Sequence, residues 1–124
     1  QFNIFVDYAH TPDALEKVLQ ILVDLRNQIS TGSKIWCVFG CGGDRDKGKR
    51  PLMAQVAEKC ADHIIITSDN PRTEDPEQIL NDIEAGFIKK PHVHRVVDRR
   101  QAIAKAKSLA NPQDVILIAG KGHE

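Results

Sequence analysis

The sequence contains no long apolar run. Its uninterrupted apolar stretches, such as residues 64–66 and 115–119, are far shorter than the roughly 20 residues that a membrane-spanning helix needs. The N-terminus also lacks a basic segment followed by a long apolar one, which is the pattern of a secretory signal. We therefore expect a protein that neither crosses a membrane nor is secreted.

The sequence also has no excess of charge, because 17 lysines and arginines balance 17 aspartates and glutamates. Non-specific binding to nucleic acid requires a basic surface, so this balance argues against a nucleic-acid partner. Cysteine is scarce as well. Cys37, Cys41 and Cys60 are an odd number without the spacing of metal ligands, which favours reduced thiols in a cytoplasmic protein and no metal site.

At 124 residues the chain has the length of one domain with one core. Apolar residues make up 41% and charged residues 27%, an ordinary balance for a globular domain and too apolar for a disordered one. Both ends indicate a piece of a longer chain. Gln1 is not an initiator methionine, and Glu124 follows a glycine-rich turn with no closing helix, so we expect the domain to be truncated at its C-terminal end.

Five short apolar runs predict strands, at residues 3–6, 34–39, 63–67, 93–97 and 115–119. Such uniformly apolar runs are typical of strands buried on both faces of a parallel sheet. Four helical patterns alternate with them. The expected N-caps of the first, third and fourth are Thr11, Asp75 and Asp98, and the second begins at Pro51. This order predicts an α/β fold, a Rossmann-like, doubly wound, mainly parallel sheet of about five strands with helices on both faces.

The apolar stripe of each helix is expected to face the sheet. Its members are Leu15, Val18, Leu19, Leu22 and Ile29; Leu52, Met53, Val56, Ala57 and Cys60; Ile79, Leu80, Ile83 and Phe87; and Ala102, Ile103, Ala106, Leu109 and Ala110.

Glycine-rich or charged segments follow four of the five predicted strands. They are residues 7–12, 40–50, 68–72 and 120–124. In a parallel α/β sheet, ligands bind outside the carboxyl ends of the strands. We therefore expect these four loops to form one ligand-binding rim, while the fourth strand runs straight into a helix cap.

Residues 40–50 resemble two nucleotide-binding motifs and match neither. Residues 43–50 have the P-loop spacing, but Arg50 stands where a serine or threonine must bind magnesium. A dinucleotide fingerprint fails because Arg45 occupies the position of its third glycine. What remains is a basic loop that opens a helix, where Arg45, Arg50 and the two lysines between them would attract a phosphate or a carboxylate. A solvated charged loop is the alternative.

Residues 69–72 carry charges of both signs on one short turn. Asp69 can accept hydrogen bonds from an ammonium group, and Arg72 can bind a carboxylate through two parallel N–H groups. A zwitterionic ligand therefore suits this rim better than a bare phosphate. The alternative is an ordinary turn in which Asn70 before Pro71 only initiates the bend.

The histidines and cysteines are weaker signals. His92 and His94 alternate on the fourth strand without a third ligand nearby, so edge or surface positions are favoured over a metal site. His63 is expected to begin a strand and Trp36 to lie in the core. The cysteines have no visible basic partner, which favours core thiols over nucleophiles.

Four segments in order are similar to one known family. They are residues 7–12, 42–51, 69–72 and 120–124, with the sequences DYAHTP, GGDRDKGKRP, DNPR and GKGHE. Across essentially the whole chain they resemble the C-terminal domain of the MurE ligases, the UDP-N-acetylmuramoyl-L-alanyl-D-glutamate–2,6-diaminopimelate ligases. Any one segment would be a weak signal, whereas the unbroken set is specific.

The resemblance implies an ADP-forming acid–amino-acid ligase of peptidoglycan synthesis, a cytoplasmic step of cell-wall biogenesis that serves cell shape and division. In this family ATP phosphorylates the D-glutamate carboxyl of a UDP-linked dipeptide, and the amine of meso-diaminopimelate attacks the acyl phosphate to give an amide, ADP and phosphate. The implied partners are meso-diaminopimelate, the UDP-N-acetylmuramoyl dipeptide and ATP with Mg²⁺, with no nucleic acid and no membrane.

The resemblance assigns diaminopimelate binding to Arg45, Asp69, Asn70, Pro71, Arg72, Gly120 and Glu124. The same resemblance implies that ATP is contacted by Asp7, Tyr8 and His10. In the family, magnesium and most ATP contacts belong to a central ATPase domain, and the nucleotide sugar binds largely to an N-terminal domain. Both are absent from these 124 residues, so the chain alone is expected to hold no catalytic or metal-binding residue and to be inactive.

Two other interpretations remain open. Phosphoacceptor receiver modules have acids after strands one and three and a lysine after strand five, as Asp7, Asp69 and Lys121 would be here. Receivers, however, pair two acids after strand one, and Asp7 has no acidic neighbour. The other interpretation is a dinucleotide-binding oxidoreductase domain, which the broken glycine fingerprint argues against.

Overall fold

The computed structural model describes residues 3–29, 32–43, 46–89 and 92–120. Strands and helices alternate through them, as the sequence predicted. The elements are β1 (Asn3–Asp7), α1 (Pro12–Ile29), β2 (Ile35–Phe39), α2 (Lys49–Cys60), β3 (His63–Ile66), α3 (Pro76–Glu84), β4 (Val93–Arg95), α4 (Arg99–Leu109) and β5 (Val115–Ala119). Within the described ranges, no helix combines the length and the apolar content that crossing a bilayer requires.

Three of the helices begin with the expected capping chemistry. Thr11, Asp75 and Asp98 each accept a hydrogen bond from a backbone N–H of the following turn, at 3.2, 3.0 and 3.1 Å. α2 differs, because it begins at Lys49, before the expected start at Pro51, and no side chain caps it. The earlier start places the buried arginine that follows Lys49 inside the first turn of this helix.

All strand pairs in the sheet are parallel, and the strand order is β1-β5-β2-β3-β4. Side chains alternate between the two faces of each strand, so the sheet buries two apolar layers. α1, α2 and α3 cover one face, where Leu19, Met53 and Leu80 are buried. Ala102 and Ala106 of α4 pack on the other face. The doubly wound architecture with helices on both faces is therefore confirmed.

β1 departs from the prediction that every strand is buried on both faces. It lies at the edge of the sheet with β5 as its neighbour, and residues 4–6 are between 38% and 53% exposed. The predicted apolar stripes were also too long. Ile29 and Leu109 are 74% and 47% exposed because each is the last residue of its helix, and Leu52 in the first turns of α2 is 48% exposed.

The chain leaves β3 and β4 toward opposite faces of the sheet, since α3 packs on one face and α4 on the other. Adjacent parallel strands with this property form a switch point, where the loops diverge and open a crevice at the carboxyl ends. The topology therefore places a ligand-binding crevice between the loops that follow β3 and β4.

Candidate functional site

The loops after β2 and β3, residues 40–43 and 67–74, lie in direct backbone contact and are termed the paired loops. The Gly43 N–H donates a 3.0 Å hydrogen bond to the Asn70 carbonyl. A Cβ at Gly43 would overlap the carbonyl oxygen of Pro71. Only glycine permits this approach, so the contact between the two loops depends on the absence of a side chain.

A buried arginine ties the paired loops to two helices. Arg50 in α2 is fully buried and donates to the two carboxylate oxygens of Glu74 at 2.7 and 3.1 Å. It also donates to Asp82 of α3 at 2.8 Å and to the Gly42 carbonyl at 3.1 Å. The hydrogen bonds with Glu74 are the main cause that raises the pKa of Arg50 above its ordinary value. Arg50 therefore stays charged and holds both loops.

This arrangement contradicts the expectation that Arg50 helps to bind a ligand anion. Two internal carboxylates already match its charge, so none is left for a phosphate. In a P-loop, the residue at the position of Arg50 binds magnesium. Because Arg50 is buried and paired with two carboxylates, the segment is not a P-loop. Of the other predicted cations, Lys47 lies 3.9 Å from Glu74, and Arg45 lies outside the described residues.

Residues 69–72 present both predicted charges at the rim. Asn70 and Arg72 have positive φ angles of 36° and 52°, which cost on the order of 1–3 kcal/mol each and persist where the surroundings fix the backbone. Arg72 donates to the Gly43 carbonyl at 2.9 Å, and its exposed guanidinium has no carboxylate partner in the described part of the chain. Within that part, no hydrogen bond reaches the half-buried carboxylate of Asp69. Both charges are available to a ligand.

The end of β5 approaches the same carboxylate. Gly120 has a φ of 82°, and a Cβ there would lie 3.9 Å from Asp69 Oδ2. The structure thus brings Gly120 close to Asp69, as expected of residues that share one ligand. Glu124 lies outside the described residues.

A cavity of about 660 Å³ opens at the switch point between β3 and β4. Residues 68–70 form one wall, and residues 97–101 at the start of α4 form the other. The sequence pattern predicted that β4 leads directly into a helix cap, and it did not indicate this second wall. One sequence feature could have indicated this wall: the basic residue Arg99 directly follows the cap Asp98, just after the fourth predicted strand.

The loop after β1 is held by its own backbone. Asp7 accepts a hydrogen bond from the Ala9 N–H at 2.8 Å, and His10 Nδ1 lies 2.9 Å from the Tyr8 carbonyl oxygen. Lys49 donates to the His10 carbonyl at 2.8 Å and so joins this loop to α2. Tyr8 is 58% exposed. The loop next to the start of α2 therefore holds all three residues that were expected to contact ATP, which are Asp7, Tyr8 and His10.

The strand order excludes the receiver interpretation. Receiver modules place β1 directly beside β3, which brings their acids together. Here β5 and β2 separate the two strands, so at roughly 4.8 Å per strand Asp7 and Asp69 lie on strands about 14 Å apart. The dinucleotide-binding order also has a central β1, whereas β1 is an edge strand in this sheet.

The cysteines and the histidine cluster show no nucleophile or metal site in the described residues. Cys41 lies within the paired loops, and Cys37 lies within β2. Burial raises the pKa of Cys37 to about 12 and that of Cys41 to about 11, so both thiols are protonated at neutral pH, as expected of core cysteines. His63 stacks on buried Trp36 with ring centroids 4.2 Å apart and meets His92 edge-on at 4.7 Å. The described residues contain no group of three or more side chains able to hold a metal ion.

Fold and site together define a parallel α/β domain in which Asp69 and Arg72, charges of opposite sign, follow the switch-point strand β3 and form no ion pair among the described residues. A family model described as Mur ligase, glutamate ligase domain, matches residues 1–122. The UDP-N-acetylmuramoyl-L-alanyl-D-glutamate–2,6-diaminopimelate ligases of Pseudomonas putida and Haemophilus ducreyi are each 55% identical over 121 residues, which cover 98% of this chain and 23% of theirs. The chain belongs to the Mur ligase family, within its glutamate ligase domain.

Solved structures agree with this assignment. A structure of a UDP-N-acetylmuramoyl-L-alanyl-D-glutamate–2,6-diaminopimelate ligase has a TM-score of 0.86 and 52% identity, covering 98% of this chain and 24% of that one. A folylpolyglutamate synthase from Mycobacterium tuberculosis, solved with ADP and AMPPCP, shares the fold at a TM-score of 0.68 and 23% identity, over 95% of this chain and 27% of that one. The chain spans about a quarter of the length of the relatives it matches.

The ion pairs of Arg50 can be tested by unfolding in urea. We expect Arg50→Ala to lower the free energy of unfolding by about 3–5 kcal/mol, because it leaves the carboxylates of Glu74 and Asp82 without a buried partner. Lys59→Ala is the matched control, since it removes an exposed ion pair with Glu16 and should unfold nearly as the wild type does. Equal effects of the two substitutions would contradict the structural role of Arg50.

Proposed function

We propose that the chain is the C-terminal, amino-acid-binding domain of an ADP-forming ligase that adds meso-diaminopimelate to UDP-N-acetylmuramoyl-L-alanyl-D-glutamate. The observation that carries the proposal is the pair of opposite charges on the paired loops, Asp69 and Arg72, which form no ion pair among the described residues. The names of the 55% identical relatives support the same substrates. As the family resemblance implies, the step belongs to peptidoglycan synthesis in the cytoplasm.

The charges of the rim suit the charges of the ligand. Diaminopimelate has two carboxylates and two amino groups, so it requires donors and acceptors on the same surface. We assign a carboxylate to the Arg72 guanidinium and an ammonium to the Asp69 carboxylate, with Asn70 and Pro71 shaping the turn between them. By family resemblance, Arg45 takes the other carboxylate, and Gly120 and Glu124 contact the distal ammonium, which is the same ammonium that Asp69 binds.

In the proposed reaction, ATP supplies the phosphoryl group that turns the D-glutamate carboxyl of the dipeptide into an acyl phosphate. The attacking amine of diaminopimelate reacts as the neutral –NH2 group and forms a bond to the acyl carbon, and phosphate leaves with the electrons of the C–O bond. The nitrogen then releases one proton to phosphate or solvent, which gives a neutral amide that keeps one N–H. A carboxylate-bound ammonium has no free electron pair, so the reacting amine is the one that Asp69 does not hold. This domain contributes by fixing the other end of the amino acid.

We propose that Asp7, Tyr8 and His10 face ATP when the ligase closes. Asp7 Oδ1 accepts the Ala9 N–H, and we assign Asp7 Oδ2 as an acceptor for a ribose hydroxyl. The described residues hold no cluster that fits Mg²⁺, and we assign the metal and most ATP contacts to a central domain outside this chain. An N-terminal domain would bind the nucleotide sugar.

The same charges favour diaminopimelate over lysine. Lysine lacks the distal carboxylate, so it would leave one arginine of the site desolvated without its partner. The penalty for such an unpaired charge is roughly 2–5 kcal/mol. Discrimination therefore arises from a missing charge and not from the size of the ligand.

Arg72→Ala tests this assignment in a full-length ligase that carries this chain as its C-terminal domain. The KM for diaminopimelate should rise by about 30-fold or more, which corresponds to roughly 2 kcal/mol, while the KM for ATP stays near the wild-type value. Lys107→Ala, which removes an exposed cation of α4, is the control and should leave both constants unchanged. An unchanged KM for diaminopimelate in Arg72→Ala would falsify the assignment.

The division of the reaction between domains has its own test. The isolated 124-residue chain should form no amide from diaminopimelate, ATP and the UDP-linked dipeptide, because the activating chemistry is assigned to a central domain. The full-length ligase should form the amide under the same conditions, with ADP release measured in parallel. Amide formed by the isolated chain would show that the division is wrong.

A further inference from the structure

Arg99 is the first residue of α4 and lines the cavity at the switch point. Its Nη2 donates a 2.9 Å hydrogen bond to the Ala119 carbonyl, directly before Gly120. The bond therefore links the start of α4 to the end of β5. It anchors the peptide whose glycine lies close to Asp69.

The remaining hydrogen-bonding capacity of Arg99 is unused. Its Nε and Nη1 are buried, and within the described part of the chain neither has a hydrogen-bond partner. Buried donors in folded proteins are almost always paired, so two such groups on one side chain require an explanation. Burial lowers the pKa of Arg99, and the facing carboxylate of Asp69 partly offsets this effect.

Two other arginines of the domain differ from Arg99 in having charge partners, although Arg50 Nε is also buried without a hydrogen-bond partner in the described part of the chain. Arg50 pairs with Glu74 and Asp82, and Arg95 pairs with Glu77 and Glu84. Each of these side chains is matched by two carboxylates and holds elements together. In the described residues, Arg99 forms no ion pair within 4.0 Å, although Asp69 lines the same cavity. The surroundings of Arg99 are therefore those of a side chain that contributes to a ligand-binding site.

We propose that Arg99 is a positioning residue of the amino-acid site, which fixes the Ala119–Gly120 peptide through its hydrogen bond and the Asp69 carboxylate through its charge. These are two of the groups to which we assign ammonium contacts. Their spacing is then set by one rigid side chain at the base of the cavity. This inference rests on the proposed function, since it concerns the same ligand.

The test uses the full-length ligase that carries this chain as its C-terminal domain. Arg99→Met removes the charge and the donors at similar volume, and Arg99→Lys restores the charge. Lys107→Met makes the same chemical change at an exposed position of α4 and serves as the control. The KM values for diaminopimelate and ATP, kcat and the unfolding temperature are measured for each variant.

We expect Arg99→Met to raise the KM for diaminopimelate at least 10-fold and the KM for ATP less than twofold, with Arg99→Lys between Met and wild type. A folded Arg99→Met with an unchanged KM for diaminopimelate overturns the inference, as does an equal rise in both KM values. If Arg99→Met does not fold, the same comparison with Arg99→Lys decides. A wild-type ligase that forms no amide with diaminopimelate overturns the proposed function, and this inference with it.

Discussion

The buried ion pairs of Arg50 are the interaction on which the geometry of the site depends. Removing a guanidinium and two carboxylates from water is unfavourable unless the three groups meet in good geometry, so Arg50, Glu74 and Asp82 fix one another closely. The loops that carry Gly42 and Glu74 cannot then move independently. This constraint is what allows residues 69–72 to keep a strained backbone and present their charges in one arrangement.

The zero net charge of the chain conceals two populations of charged side chains. Arg50 and Arg95 are matched by internal carboxylates and join elements of the fold. Arg72, Asp69 and Arg99 lie at the carboxyl edge of the sheet without such partners among the described residues. Charges of both signs concentrated at one edge are what a zwitterionic amino acid requires, and a basic protein surface would serve it poorly.

Local patterns in the sequence predicted the elements well, because caps such as Thr11 and Asp98 and short apolar runs act over a few residues. The alternation of strands and helices predicted a parallel sheet. The strand order, which leaves β1 at an edge, is set by pairing between strands that are distant in the sequence. The role of Arg50 could not be predicted, since its partners lie 24 and 32 residues away. Arg99 was missed for a related reason: its importance comes from the end of β5 and from Asp69, which only the fold brings near.

The central claim is that the backbone contact between the paired loops creates the amino-acid site. Gly43→Ala tests it most directly, because a Cβ there would overlap the Pro71 carbonyl oxygen, whereas a Cβ at Gly32 would meet nothing within 4 Å. Calorimetric titration of the full-length ligase with diaminopimelate should show at least 10-fold weaker binding for Gly43→Ala and wild-type binding for Gly32→Ala. A folded Gly43→Ala variant that binds diaminopimelate as tightly as the wild type would contradict the account.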